Sequence, residues 1–203
     1  ILELHLLGAG GQGKSVWNLA LAMGYTVNAF IDHHSRQPMV YGLPVYPDES
    51  FLRSDDALII SIGDNMTRAR LARDIDAWYP ILLHPSAVRA QKVRIGAGTV
   101  VMPGAVLQVG VTVGQHTIIN TQASIDHESR VGDFVHIAPG VILSGDVTVE
   151  DYASIGIGAV IDRGLHVGRG AVVGAGAVVL EDVPEQAVVV GSPARILRYA
   201  EAS

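Results

Sequence analysis

Of the eight histidines in this 203-residue chain, His127 has the neighbours best suited to acid–base chemistry. It lies in Ser124-Ile125-Asp126-His127-Glu128, with a carboxylate on each side. A carboxylate beside an imidazole fixes its tautomer and stabilises the ring once it has taken a proton, which is what a general base needs. The same neighbours would equally satisfy a histidine at a subunit contact. Near the other end of the chain, Gly8, Gly10 and Gly13 match G-x-G-x-x-G. Placed between a strand and a helix, such a loop brings backbone N–H groups and a helix N-terminus up to an anion. Asp32 follows 24 residues after Gly8, where a carboxylate can accept from a ribose hydroxyl. Tight packing alone would also call for those glycines.

The elements that carry these residues have two different periods. From Ile95 onward, every sixth residue is Ile, Leu or Val, through Val101, Leu107, Val113, Ile119, Ile125 and on to Val179, without a slip. Four positions after each, the residue is mostly small or β-branched (Thr99, Ala105, Thr117, Ala123, Ala153, Ala171, Ala177), and glycine often follows the aliphatic directly, as at Gly96, Gly114 and Gly132. A period of six fits neither a helix nor a hairpin; it fits short flat strands joined by tight corners. Three such units, or 18 residues, close one triangular coil, and coils stack at the spacing of neighbouring strands, about 4.8 Å. The aliphatics then form columns such as Ile95, Val113, Val131, Val149 and Val167. On this count Gly145 lies one coil beyond His127 in the same column, and its N–H is a candidate donor to an oxyanion.

The first eighty residues read as a strand (Leu2 to Leu7), a helix from Lys14 to Met23, strands at Val27–Ile31 and Ala57–Ile62, and a helix from Asn65 to Ile75 with Arg68, Arg70 and Arg73 on a basic face. This order suggests a small parallel sheet, about half of a dinucleotide fold and better matched to one nucleotide diphosphate than to two nucleotides. The expected architecture is an α/β half-Rossmann domain over residues 1–82, followed by an all-β parallel β-helix over residues 83–203, with His84-Pro85 near the junction.

Composition narrows the function. The absence of cysteine removes disulfides, thiolate zinc sites and cysteine nucleophiles. A net charge of −6 argues against non-specific binding to nucleic acid or an anionic membrane. Neither a signal peptide nor a membrane-spanning run is evident, so the cytoplasm is the expected compartment, and an opening Ile1 in place of Met suggests a trimmed sequence.

The repeat resembles that of the hexapeptide-repeat transferases, as does the Gly191-Ser192-Pro193-Ala194-Arg195 ending. That resemblance implies left-handed coils, contrary to the usual crossover rule, and a homotrimer. A half-Rossmann domain with Gly8-Ala9-Gly10-Gly11-Gln12-Gly13-Lys14, fused to such coils, resembles the bacterial nucleotide-4-amino-sugar N-acetyltransferases and the related sialic-acid O-acetyltransferases. The resemblance covers essentially the whole chain. It implies transfer of an acetyl group from acetyl-CoA, without a metal, to a sugar amine on a nucleotide, with active sites between subunits. It implies His127 and Glu128 as the catalytic pair, and His136 near the thioester, with Gly145, Gly156 and Ala175 lining the cofactor groove. The nucleotide-sugar would lie near Gly10, Gly11, Gln12, Gly13, Asp32, Gly63 and Asn65, with Asn120 positioning the acceptor. Gln12 departs from the family, which often has histidine there. Three alternatives share these parts: O-acetylation of a sialic-acid-like sugar, a non-catalytic sugar-nucleotide-binding trimer, and a zinc site of the γ-carbonic-anhydrase type drawing on His116, His127 and His136.

Overall fold

The computed structural model describes residues 3–53 and 55–200. Its N-terminal part is a five-stranded sheet in the order β3-β4-β2-β1-β5, built from β1 (Glu3–Leu7), β2 (Thr26–Ile31), β3 (Met39–Val40), β4 (Leu43–Tyr46) and β5 (Leu58–Ile60). β4, β2, β1 and β5 run parallel. The expected first strand begins at Glu3 among the described residues, with Ile1 and Leu2 lying outside them. β1 has β2 on one side and β5 on the other, so the chain reverses direction across the sheet at β1. A crevice for a ligand forms outside the carboxyl ends of the strands at such a point.

Two features differ from the sequence reading. Helix α1 (Gly11–Ala22) starts three residues before Lys14, because Gly10 caps it and its carbonyl accepts from Lys14 N–H at 3.0 Å. Gly11, Gln12 and Gly13 therefore belong to the first helical turn. The β3–β4 hairpin was not expected. It turns on Tyr41 and Gly42, both with positive φ (50° and 79°), the conformation that matches the twist of a two-residue hairpin. Pro44 inside β4 masks the strand signal. Helix α2 (Asn65–Asp74) is capped by Asp64, whose carboxylate accepts from Thr67 N–H at 2.7 Å.

From Leu82 the chain winds into a left-handed parallel β-helix of two-residue strands arranged on three faces. The first face runs from Val88–Arg89 to Val178–Val179, the second from Arg94–Ile95 to His166–Val167, and the third from Leu82–Leu83 to Val172–Val173. The third face continues through Ala187–Val190 to an antiparallel end strand, Arg195–Tyr199. Pairing joins Ile95, Val113, Val131, Val149 and Val167 into the expected column. All the six-step aliphatics from Val101 to Val179 are buried; only Ile95, on the first coil, is partly open. Each such burial contributes about 1.5–3 kcal/mol relative to exposure.

The corners have a rule of their own. Positive φ recurs every six residues from Gly98 to Gly176, three positions after each inward aliphatic. Glycine takes that position repeatedly, but His116, Gln122, Glu128, Phe134, Asp146 and Tyr152 take it too. The glycines directly after the aliphatics have a different role. At Gly96, Gly132 and Gly156 a Cβ would meet atoms of the next coil.

The two parts share a core. Outward residues of the third face (Leu82, Val100, Met102, Ile118) pack with Leu4, Leu6, Val16, Leu19 and Phe30 of the N-terminal part. The α/β layer is therefore fixed to one face of the coils, and the strand Leu82–Leu83 straddles the expected boundary. Among the described residues, no helix is long and apolar enough to cross a membrane.

Candidate active site

The glycine loop divides into two kinds of position. Gly8 has φ +115° and sits against the Ser61 carbonyl, where a Cβ would come within 2.8 Å; a Cβ on Gly13 would collide with the Gly8 carbonyl. These two glycines are needed for the turn itself. Gly10 and Gly11 have no protein atom within 4 Å of a Cβ. No packing reason within the chain requires glycine there, which leaves backbone open to a close-approaching ligand. Beside the loop, Gln12 Nε2 is buried and finds no acceptor among the described residues. A buried donor left unpaired costs about 1–3 kcal/mol, a cost that a bound acceptor would remove.

Asp32, at the end of β2, reaches back to this loop. Its Oδ2 accepts from Ala9 N–H at 3.0 Å and its Oδ1 from His34 N–H at 2.9 Å. Partial burial works to raise its pKa, but the N–H groups of Ala9, His34 and Ser35 outweigh burial and hold it below the ordinary carboxylate value. Asp32 is thus a charged brace for the loop, with unused lone pairs facing a small crevice lined by Gly8, Asp32, Ile62, Thr67 and Arg70.

The loop after β5 meets the coils. The Gly63 backbone lies by the His136 ring and acts to raise its pKa, and Asn120 Nδ2 lies 3.2 Å from His136 Nε2. An amide Nδ2 can only donate, so Nε2 is the accepting nitrogen of that pair and Nδ1 carries the ring proton. Burial lowers the His136 pKa, the positive charge of Arg68 lowers it further, and the Gly63 backbone only partly opposes them. The ring is accordingly neutral at physiological pH. From His136 an open groove of about 310 Å³ runs past Ser154, Gly156 and Ile157 to Ala175. His136, Gly156 and Ala175, expected to line one groove, do so; Gly63 and Asn120 join them through His136.

Asn65 is placed differently from the expectation. It is 6 % exposed, and its Nδ2 lies 3.0 Å from Tyr152 O, Ala153 O and Ser154 Oγ, while its Oδ1 accepts from Arg68. Its amide clamps α2 to the coils and has no group left for a substrate. Arg68 likewise leaves the expected basic face: it is 1 % exposed, whereas Arg70 and Arg73 stay in solvent. The spacing of Asn65, Arg68, Leu71 and Ile75 along one helical stripe was the available signal.

His127 stands at the corner between the first and second faces. Its N–H donates to Asp126 Oδ1 at 2.7 Å, and its ring lies directly over Gly145, one coil on, in the space a Cβ would fill. Among the described residues the Gly145 N–H donates to no protein group, while its carbonyl accepts from Gly164 at 3.0 Å. An imidazole and a free backbone donor therefore share one corner. Glu128 has φ 58° and folds the other way, its carboxylate lying over Gly110 on the preceding coil. No hydrogen bond joins Glu128 to His127 among the described residues, so within one chain the expected pair is adjacent in sequence and divergent in space. Gly145 belongs with His127 and not with the His136 groove.

His116 is buried, its ring stacked on Phe134 (5.3 Å) and edge-on to Tyr79 (4.6 Å), with Tyr152 next in the stack (5.6 Å) and Arg169 over it. Burial and Arg68 push its pKa down to about 4, against Asp133. A ring so enclosed is not free to reach His127 and His136 at a subunit seam, which removes the basis for the shared zinc site. Among the described residues no group of three His, Asp or Glu side chains is placed to hold a metal. The 18-residue spacing of His116, Phe134 and Tyr152 marks this stack in the sequence.

A glycine loop between strand and helix, fixed to left-handed six-residue coils, is the architecture of an acyltransferase of the hexapeptide-repeat type. Comparison with known proteins narrows the class. Residues 3–75 match the PglD N-terminal domain. The acetyltransferase domain of PglB from Neisseria gonorrhoeae FA1090 is 36% identical, with 97% of this chain and 100% of that chain covered and a TM-score of 0.90; it has also been solved with acetyl coenzyme A. PerB from Caulobacter crescentus, solved with CoA and GDP-perosamine, is 36% identical over 97% of each chain, with a TM-score of 0.89. WeeI from Acinetobacter baumannii AYE is 31% identical over 97% of this chain and 100% of that chain, with a TM-score of 0.89. The chain belongs to this family of nucleotide-sugar N-acetyltransferases and is an acyltransferase.

Proposed function

We propose that the protein transfers the acetyl group of acetyl-CoA to the 4-amino group of a nucleotide-linked 4-amino-4,6-dideoxy sugar, as a step in bacterial glycan biosynthesis. The observation that carries this reading is the half-buried His127 ring lying over Gly145, whose N–H is free. The sugar ammonium first loses a proton to solvent, and His127 takes a second from the nitrogen as it attacks. The nitrogen lone pair adds to the thioester carbonyl, and the Gly145 N–H donates to the resulting oxyanion. The C–S bond then breaks, an amide remains, and CoA leaves as a thiol with the proton returned. A positioned base contributes about 10²–10⁴-fold, and one oxyanion donor is worth about 10²–10³-fold. No acyl-enzyme is needed. In this reading Glu128 meets His127 only once a neighbouring subunit or substrate has turned one of the two side chains.

The nucleotide binds over the open backbone of Gly10 and Gly11, and the Gln12 amide supplies a donor. The pantetheine arm lies in the groove from His136 to Ala175. His127 and His136 occupy different sides of one prism, so the reading requires two subunits to complete a site. The outward residues of the first face support a homotrimer through that face. Val88, Val106, Ile142, Val160 and Val178 are apolar and only Ser124 of this column is polar; Val88 and Ile142 are 53% and 48% exposed. The second face instead presents Arg94, Thr112, Arg130, Thr148 and His166. Acetyl-CoA and nucleotide sugars are cytoplasmic metabolites, which favours that compartment.

The test is thiol release from acetyl-CoA with a panel of UDP-, GDP- and dTDP-linked 4-amino-4,6-dideoxy sugars. Release is expected with at least one, and the product should carry a 4-acetamido group. Release only with a sialic-acid-type hydroxyl acceptor would reassign the chemistry to O-acetylation. No release with any acceptor would overturn the reading.

A further inference from the structure

The guanidinium of Arg68 is the one buried cation at the junction of the two parts among the described residues, and no carboxylate forms an ion pair with it there. Asp64, the nearest acid acting on it, already accepts from Thr67. Five acceptors surround Arg68 instead. Nε donates to His116 O at 2.6 Å. Nη1 donates to Ile62 O at 2.8 Å and Gly63 O at 3.1 Å. Nη2 donates to Asn65 Oδ1 at 2.7 Å and Val135 O at 3.2 Å. They match the five N–H groups of a guanidinium in number. Two of the acceptors lie in the loop after β5, one on α2, and two on successive coils beside His136.

A buried charge without a counter-ion is a poor stability device, because desolvation opposes it and an apolar side chain of similar volume often does as well. What the fork does supply is direction. One end of the fork holds the Gly63 carbonyl and the other the carbonyl of Val135, the residue before His136, so the guanidinium ties the Gly63 loop to the strand that carries the His136 ring. We propose that Arg68 is a positioning residue: its fork locks the loop carrying Gly63 to the coil carrying His136, and so sets the register between nucleotide-sugar and thioester. The inference rests on the proposed acetyl transfer for its kinetic consequences and on geometry alone for its structural ones. Arg68 also places a positive charge near His136, whose other close neighbours carry none: Asn120, the paired strand residues Ile118 and Ser154, and the Gly63 backbone.

The test uses the full chain with Arg68→Met and Arg68→Lys. Three quantities are measured: kcat and KM for both substrates, the Kd of CoA and of free UDP or GDP, and the NMR titration of the His136 ring, assigned with His136→Asn. A misplaced acceptor lowers kcat steeply, by about tenfold or more in both variants, while both Kd values stay within about threefold. The His136 titration is lowered in the native protein by burial and by Arg68. It should therefore move to higher pH in Arg68→Met. In Arg68→Lys, which keeps the charge and loses the fork, the titration should stay near its native position while kcat still falls. A role confined to holding the fold would lower the melting temperature and scale activity with folded protein, leaving kcat per folded molecule unchanged; that result overturns the proposal. If Arg68→Met does not fold, Arg68→Lys decides alone, with native kcat overturning it. If the native chain acetylates no amino sugar, the proposed transfer fails, and crystal structures of the two variants decide the role of Arg68: Gly63 and Val135 in their native places would overturn it.

Discussion

The coils and the α/β layer solve the same problem, holding a few polar groups beside a substrate, in opposite ways. In the coils a residue's surroundings follow from its position in the six-residue unit: inward aliphatic, close-approach glycine, outward corner, left-handed corner. His127 reaches Gly145 because 18 residues make one coil. In the α/β layer each contact is particular. Asp32 braces Ala9 across 23 residues, and Asn65 reaches Tyr152 across 87. A repeating frame makes a site readable by counting, whereas a site built from unrelated loops depends on contacts that no period announces. The two designs also differ in what a substitution should disturb.

The largest effect is expected at the coil corner. His127→Ala should lower turnover by about 10²–10⁴-fold, with CoA binding and melting temperature near native. Thiol release and calorimetry check both halves of that expectation, and near-native turnover would remove His127 as the base. Gly145→Ala should follow at about 10²-fold. Its new methyl group would occupy the space of the His127 ring, and the imidazole, at the end of a rotatable side chain, would give way before the backbone did. A small misplacement of a reacting group can cost that much rate, while the stability change stays small. Loss of stability matching the loss of rate would mean that the coil, and not the ring, had moved.

These two residues also show what was legible. The coil architecture, its columns, the His127–Gly145 register and the shared groove of His136, Gly156 and Ala175 all follow from the period or from the family that the period indicates. The corner rule was not read, because Phe134 and Tyr152 hold a left-handed conformation that usually costs non-glycine residues about 1–2 kcal/mol, and ring stacking offsets it here. In the α/β layer the glycine loop, Asp32 and the parallel order were legible because strand, turn and helix are local. Asn65 was misread as a ligand group and Arg68 as a surface charge. Their partners lie on the coils: the stripe of Asn65, Arg68, Leu71 and Ile75 signals an inward face, but it does not say that the guanidinium there will be held by carbonyls of another part of the chain. Glu128 shows a further limit: adjacency to His127 did not bring the two side chains together, since successive residues at a corner lean toward opposite coils.

Within the glycine loop the same substitution should have two outcomes. Gly13→Ala places a methyl group against the Gly8 carbonyl, a backbone atom that cannot swing aside, and should destabilise the chain by about 1–3 kcal/mol. Gly10→Ala and Gly11→Ala meet open space. Gly11→Ala lies in the first helical turn and should hold or slightly raise stability, by up to about 1 kcal/mol. Either change should nonetheless weaken nucleotide binding, by about tenfold, because the methyl group occupies room left for a ligand. Denaturant midpoints and nucleotide calorimetry separate the two. Unchanged affinity in both Gly10→Ala and Gly11→Ala would move the nucleotide away from this loop.

The smallest effect should come from the coil interior, and it sharpens the comparison most. Ile161 is fully buried in the inward column of the first face, between Leu143 and Val179. Removing one methyl group as Ile161→Val costs about 0.5–1.5 kcal/mol in a core that cannot collapse around the gap. Valine already fills the equivalent inward position at Val131, Val149, Val167 and Val173, so the strand geometry accepts it, and the cost should fall at the low end of that range. The denaturant midpoint should shift slightly with an unchanged slope, and turnover should stay within about twofold, because the column of Leu143, Ile161 and Val179 does not line the groove at His136, which takes its inward aliphatics, Ile155 and Val173, from the third face. A clear loss of turnover would show that the prism transmits core strain to its corners, and that the coil interior is not the passive frame its repetition implies.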